Sequence, residues 1–537
     1  MAPPVIAVRF KLAPILAFCG LPLAAACSGA GASAGPSTPS LSSLVVSASA
    51  DAGALPVALV PPFAPDVHDY YVRCASETRS LTVSMTASEG AESLLVAPGA
   101  SPSAGRQTVS VTVSENQAIV AAATSGSATT EYWVRCLPHD FPQYTWTPHP
   151  EAGTPSPGFY LVGTGAFLGP GGMPASPTSG CFAMVLDGNG VPVWYRRASW
   201  ANGFCVFDVD QVVPGAISYD SIGDSPAQFE VHAMSPVGAT SVEALASTGP
   251  LNVDLHELKA LPGGDFLLIS SPAQPGVDLT GLNVPLPGGG SESLSGPQTI
   301  LGCDLLEVRP DGSVAWSWRA TDHFDPVAVS VAPTLTTAGP FGKNLVDPFH
   351  CNSIDIEPGT GNLLVSAREM SSIFEVERST GRVLWKMGGA DSSKDGAAYI
   401  SVADPFAQQH DARFGPDWVP ASEGGSGSIS LFDDQSYTSM PSRAVVYQVS
   451  AGKTATVAWQ HRGVASSPAM GSFRIGADGS RVIGWGMLAG GGFAEVDSKG
   501  DDLLDFAFSD GNTTYRAIKV PDRAFDLNEL RSTAGIP

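Results

Sequence analysis

Between residues 41 and 138 apolar and polar positions alternate in short runs: SLVVSAS, HDYYVRC, SLTVSM, TVSVTV, AIVAAAT and TEYWVRC, with turn-forming residues between them. A period of two marks half-buried strands. Several such strands in succession predict a β-sandwich over 41–138. From about 158 to 510 a longer unit recurs. Its opening half appears as HELKALPGGDFLLIS (256–270), HCNSIDIEPGTGNLLVSAR (350–368) and SFRIGADGSRVIGWG (472–486). Its closing half appears as MVLDGNGVPVWYRR (184–197), LLEVRPDGSVAWSWR (305–319), FEVERSTGRVLWKMGG (374–389) and FAEVDSKGDDLLDF (493–506). Repeats of about four short strands, with no long amphipathic helix between them, predict a β-propeller, and the openings and closings count to about six blades. The expected fold class is therefore all-β: a six-bladed β-propeller over 158–515 behind an N-terminal β-sandwich. Residues 139–157 read as a Pro-rich connector and 516–537 as a C-terminal tail.

The first 27 residues do not continue this pattern and read as a targeting segment. Arg9 and Lys11 make a positive region, and the apolar stretch 12–26 is too short to span a membrane. The stretch ends LPLAAAC, and small residues directly before Cys27 resemble a bacterial lipoprotein signal, in which Cys27 becomes the lipidated N-terminus. Ala24 stands where leucine is usual in such signals, with Leu23 beside it. Residues 28–40 (SGAGASAGPSTPS) then form a flexible tether. The expected location is the bacterial cell envelope, on the periplasmic or outer-membrane face, held through the lipid alone, with secretion as the alternative.

Composition narrows the partners. The net charge of −23 excludes nucleic acid, since no basic cluster could neutralise phosphates along a groove. Charged residues are only 15%, and 59 Gly and 45 Pro supply the turns an all-β chain needs. Export implies an oxidising compartment. With Cys19 removed and Cys27 taken by the lipid, six cysteines remain. YYVRC (70–74) and YWVRC (132–136) are nearly the same strand, which suggests Cys74–Cys136. Cys181–Cys205 and Cys303–Cys351 follow by proximity. None has CxxC zinc spacing.

Three opening strands begin with histidine: His256, His350 and His410. In a propeller the innermost strands line one channel, so residues at the same end of equivalent strands converge. A hairpin centred on the turn 358–362 places Arg368 opposite Asn352, with His350 on the same face. Three histidines and one arginine suit an anionic group: arginine offers a planar fork, and a neutral histidine can act as nucleophile or base. A His₃ metal site is the chemical rival, and Arg368 beside it disfavours a cation. A single histidine at a strand end is commonly a turn or surface residue, and the remaining histidines, His68, His139, His149, His232, His323 and His461, have no such alignment and read as structural or exposed. Phe349, Phe406, Phe414 and Trp418 flank the cluster and could stack on an aryl ring or pack in the core.

Two resemblances add to this reading. LSSLVVSAS followed by PPFAPDVHDYYV resembles the cadherin-like β-sandwich of bacterial surface proteins, which implies a support or adhesion module. DLHELKALPGGDFLLIS, the stretch 347–389, QQHDARF with GSISLFDD, and SPAMGSFRIGADGSRVIGWG resemble the bacterial arylsulfotransferase family. That resemblance implies a six-bladed propeller that moves a sulfuryl group from an aryl sulfate donor to a phenolic acceptor, without a nucleotide donor, cofactor or metal. It implies that His410 is transiently sulfated, that Arg368 binds the sulfuryl oxygens, and that His350 and His256 bind sulfate and assist the phenol oxygens. Asn352, Phe349 and Phe414 are the expected substrate contacts. Ping-pong kinetics follow, with a rate that falls as pH drops through the nucleophile's pKa, near ~6.5 if unshifted. The lipoprotein-like signal, the sandwich domain and a Gly/Ser insertion (421–428) depart from the soluble members, so the oligomeric state stays open. The alternatives are a non-catalytic surface propeller that binds an anionic ligand, and a His-metal-dependent hydrolase or lyase on the same fold.

Overall fold

The structure is a computed structural model that describes residues 38–48, 57–74, 79–166, 178–201, 204–221, 228–233, 245–246, 251–286, 290–336, 345–421, 424–436, 438–451, 453–488 and 490–536. The targeting segment, Cys27 and residues 28–37 of the tether lie outside the described residues. The described chain is all-β, with only short helices.

Two sheets occupy the N-terminal part. Leu41–Ala48, Arg79–Ala87 and Arg106–Val113 form one. Asp69–Arg73, Ala128–Leu137, Ala118–Ser125 and Glu92–Ala97 form the other. Leu44, Val46 and Val83 from the first and Tyr70, Val72 and Val134 from the second share one apolar cluster. The alternation of the sequence thus buries one face of each sheet. Glu92–Ala97, absent from the runs read in the sequence, is the added strand. The YYVRC and YWVRC strands pair in parallel, Tyr70 with Val134 and Val72 with Cys136. That pairing brings Cys74 to Cys136, which are disulfide-linked.

The rest of the chain folds mainly into antiparallel runs of about four strands, two of which are joined into one nine-stranded sheet by Ala398–Val402, parallel to a strand of each. Val253–Ala260 leads one with Phe266–Ser270, Asp304–Val308 and Val314–Arg319. Cys351–Ile356 leads the next with Leu363–Ala367, Ser372–Val376 and Val383–Met387. His410–Phe414 leads a third with Gly427–Asp433, Arg443–Ser450 and Thr454–Arg462. Ser472–Ile475 leads a fourth, Arg481–Gly484, Gly492–Val496 and Asp502–Phe508. Ala216–Ser221, Gln228–Ala233 and Leu245–Ala246 form a shorter sheet.

The two ends of the chain close this arrangement. Tyr144–Pro148, inside the expected connector, pairs with Asp502–Phe508. Ala517–Pro521, inside the expected tail, pairs with Gly158–Gly163, whose sheet continues through Cys181–Leu186 and Pro192–Ala198. Helix Leu527–Thr533 follows, and its Arg531 forms a bidentate pair with Asp69 of the N-terminal sheets, 2.8 and 2.6 Å. Residues 516–537 are therefore structural, because strand pairing and this buried ion pair both need them. An apolar-alternation reading has no signal for a pairing partner 350 residues away.

Where the leading strands meet, a buried ionic network joins them. Arg413 pairs with Glu257 and Asp411, both at 2.6 Å. Arg474 pairs with Asp411 at 2.7 Å, and Arg516 with Asp208 at 2.8 Å and Glu257 at 3.0 Å. Three guanidinium groups thus face three carboxylates. Burial alone would raise the Glu257 carboxyl, but Arg413 and Arg516 outweigh it and hold it below the ordinary range. The six residues come from five segments, Asp411 and Arg413 sharing His410–Phe414, so the network fixes how those segments are placed against one another. Buried charges without such partners would cost several kcal/mol per ion, of the order of ~3–5 kcal/mol when one partner is removed.

Candidate active site

His256 lies within Val253–Ala260, His350 directly precedes Cys351–Ile356, and His410 opens His410–Phe414. Each of these strands loses regular register at its histidine: between Val253 and Leu258, between Cys351 and Ser353, and between His410 and Arg413. Such bulges turn a side chain out of the sheet's plane and are common beside sites. His350 itself has φ +49°, and Asp411, next to His410, has φ +58°. Neither is glycine, so the surrounding structure holds a conformation that costs ~1–3 kcal/mol.

The bulge also corrects the hairpin register expected from the sequence. Arg368 does not face Asn352. Its backbone N–H donates to the His350 carbonyl at 2.9 Å, because the turn closes between Glu357 and Asn362 and Asn352 is the extra residue. His350 and Arg368 are direct neighbours across two strands.

One ring nitrogen of each of His256, His350 and His410 lies within 4.8 Å of the others. The rings of His256 and His350 are 5.1 Å apart, edge to face, and His256 and His410 are 6.4 Å apart. Each Nδ1 is engaged by a carboxylate: Asp254 at 2.5 Å from His256, Asp347 at 2.7 Å from His350, and Asp434 at 2.7 Å from His410. A histidine whose Nδ1 is held in this way presents Nε2 as its working atom. Sequence reasoning missed all three carboxylates. Two had a local signal, since Asp254 and Asp347 stand two and three residues before their histidines. Asp434 comes from the neighbouring strand, just past Phe432, which pairs with His410.

Arg368 is buried beside the cluster. Its guanidinium contacts Glu369 at 2.5 Å and the Pro468 carbonyl at 2.8 Å. Asn352 is fully buried, and its amide donates to the Gln409 carbonyl at 2.8 Å. Gln409 donates in turn to Ser366 Oγ and the Ser372 carbonyl, both at 2.9 Å. This chain of bonds ties the His410 strand to the Arg368 sheet.

Burial, followed by Arg368, His256 and His350, pushes the His410 imidazole well below its ordinary 6.5. Burial also raises Asp434 well above the carboxylate range. Both shifts disfavour a charged imidazolium at His410. His350 differs. Burial lowers it, but Asp347 and Glu369 outweigh that and raise it.

The aromatic residues divide differently from expectation. Phe349 is fully buried in the core cluster with Phe324, Ile354 and Phe374. Phe414 is half-buried against Trp418, 4.8 Å between rings, and Phe406 is buried in the same cluster. The ring that borders the histidines is Tyr515, 5.6 Å from His256 and 5.8 Å from His410. Phe207 stands edge-on to Tyr515 at 5.8 Å, and Phe204 edge-on to Phe207 at 5.6 Å. Met470 packs among them. Tyr515 lies outside every repeat read from the sequence, so no periodic signal marked it.

The disulfides Cys181–Cys205 and Cys303–Cys351 complete the cysteine pairs, and the three bridges fit an oxidising compartment. Among the described residues no helix is long and apolar enough to cross a membrane.

The family model described as Arylsulfotransferase (ASST) matches residues 253–508. No curated protein matches the chain. Among solved structures, a quinonprotein alcohol dehydrogenase-like protein from Bacteroides thetaiotaomicron is 8% identical, over 86% of this chain and 98% of that one, with a TM-score of 0.29. Apo AztD from Citrobacter koseri is 7% identical, over 80% and 98%, with a TM-score of 0.28. At these values neither likeness bears on function. The matched segment contains His256, His350, Arg368 and His410, and over residues 253–508 the chain is similar to the arylsulfotransferase family.

Proposed function

We propose that the protein transfers a sulfuryl group from an aryl sulfate to a phenol through a sulfated His410. The observation that carries this reading is the convergence of three carboxylate-backed histidines beside Arg368. On this reading the sheets described above are the six blades of a propeller, the leading strands are innermost, and the ionic network of Glu257, Asp411 and Arg516 plugs its axis. The N-terminal sheets form the support module, a cadherin-like sandwich carried at the cell envelope on lipidated Cys27.

The donor's sulfuryl oxygens lie against Arg368, with His256 and His350 completing the anion site. Positioning and charge stabilisation dominate, as in phosphoryl transfer. His410 Nε2 attacks sulfur, the S–O bond to the aryl group breaks, and a phenolate leaves. The imidazole then carries the sulfuryl group on Nε2 and a proton on Nδ1, which Asp434 holds. The acceptor phenol gives its proton to His350 and attacks sulfur, the N–S bond breaks, and neutral His410 returns. Tyr515, Phe207 and Phe204 line the approach and seat the aryl ring. Asn352 acts by tying the His350 and His410 strands together.

The test is nitrophenol release from p-nitrophenyl sulfate with and without added phenol. Release that depends on phenol is the expected result. Release without phenol would indicate a hydrolase, and no release from several aryl sulfates would favour the binding module.

A further inference from the structure

We infer that the three histidines also form a zinc site, and that a zinc ion and a sulfate ester exclude one another there. The binding half of this inference is independent of the proposed reaction; the exclusion half rests on it. Zinc takes imidazole nitrogens at ~2.0–2.1 Å, and three protein ligands with one open position make an open site. Here each histidine is anchored through Nδ1 to an aspartate, which leaves Nε2 of each free to serve as a ligand. Carboxylates placed behind ligating histidines fix the tautomer and strengthen the ligand. One ring nitrogen of each lies within 4.8 Å of the others, so rotation of the partly exposed His256 and His350 would close them onto an ion.

Charge is divided here: Arg368 and Arg516 weigh against a cation at His410, while Glu369, in contact with Arg368, and Asp254 and Asp347, behind the other two rings, weigh for one. His410 is almost wholly enclosed, while His350 keeps about a third of its side chain exposed, so an ion enters from the His350 side. Once bound, zinc occupies the Nε2 lone pair of His410 that attack on sulfur would use. No bond is made or broken in the ester; zinc and ester compete for one atom.

The experiment is equilibrium dialysis of the metal-free full chain against zinc chloride, with bound metal counted by elemental analysis. Wild type should hold one zinc that His256→Ala and His350→Ala each lose, with Asp347→Asn weakening it about 10–100-fold. Circular dichroism checks that the variants stay folded. No zinc bound, or the same zinc bound by both alanine variants, would overturn the site. The second arm adds zinc to the p-nitrophenyl sulfate assay. Inhibition that rises with zinc, falls with added donor and is reversed by a chelator supports exclusion. Turnover that requires zinc, or ignores it at saturation, overturns exclusion. Because dialysis reads no turnover, failure of the zinc site and failure of the sulfotransferase reading are separable.

Discussion

His410 Nδ1 lies 2.7 Å from Asp434 Oδ2, and both side chains are almost completely shut off from solvent. The aspartate holds the ring in one orientation, and its raised affinity for a proton lets it draw the Nδ1 proton as sulfation places positive charge on the ring. Asp434→Asn keeps the shape but cannot draw that proton. It should lower kcat about 10–100-fold with KM for the donor little changed. Equal losses in binding and turnover would instead point to a purely structural partner.

His410→Ala removes the proposed nucleophile. Phenol-dependent nitrophenol release should fall at least ~10³-fold, as when a covalent catalyst is lost. Mass spectrometry of wild type quenched without acceptor should find one sulfuryl group on the peptide that holds His410. A sulfuryl group on a different residue would reassign the nucleophile.

The two half-reactions should separate by pH. His410 sits well below 6.5, so it stays neutral and reactive as pH falls past that value. His350 is raised, so it is already protonated there and cannot accept the phenol's proton. At pH ~5.5 the enzyme should therefore release one burst of nitrophenol and then stall, with turnover restored above the raised pKa of His350. Stopped-flow absorbance gives both phases. Coincident acid limbs would remove His350 from the role of base.

Cys351 follows His350 directly and is bridged to Cys303 of the neighbouring sheet. Its loop of 48 residues implies a stabilisation of about 4 kcal/mol on chain entropy alone. Cys303→Ser paired with Cys351→Ser should lower the melting temperature by several degrees and raise KM, since the His350 end of the strand loses its tie. An unchanged KM would show that the hydrogen bonds to Arg368 suffice.

Phe349 and Phe204 should respond in opposite ways. Phe349→Ala opens a cavity in a closed core and should cost about 3–5 kcal/mol of stability. Phe204→Ala, at the half-buried end of the aromatic wall, should leave melting almost unchanged and raise KM for bulky aryl sulfates about 5–10-fold. Thermal melts beside steady-state kinetics distinguish the two. A large loss of stability in Phe204→Ala would make it a core residue.

Much of the all-β organisation was legible in the chain, because strand period and turn chemistry are local properties. The parallel of YYVRC and YWVRC foretold the strand pair that sets Cys74 against Cys136. The matched places of His256, His350 and His410 foretold that they meet, since equivalent strands of repeated sheets share one geometry. Only the tertiary structure decided what surrounds them. The bulge at Asn352 moved Arg368 onto His350, a shift too small to register in a hydrophobic pattern yet large enough to change a site. Asp434 and Tyr515 reach the histidines from other strands, and nothing in their neighbouring residues announces it. Phe349 and Tyr515 are both aromatic and both buried. Which one faces the core and which one faces the histidines depends on how sheets pack, and that depends on the whole chain at once.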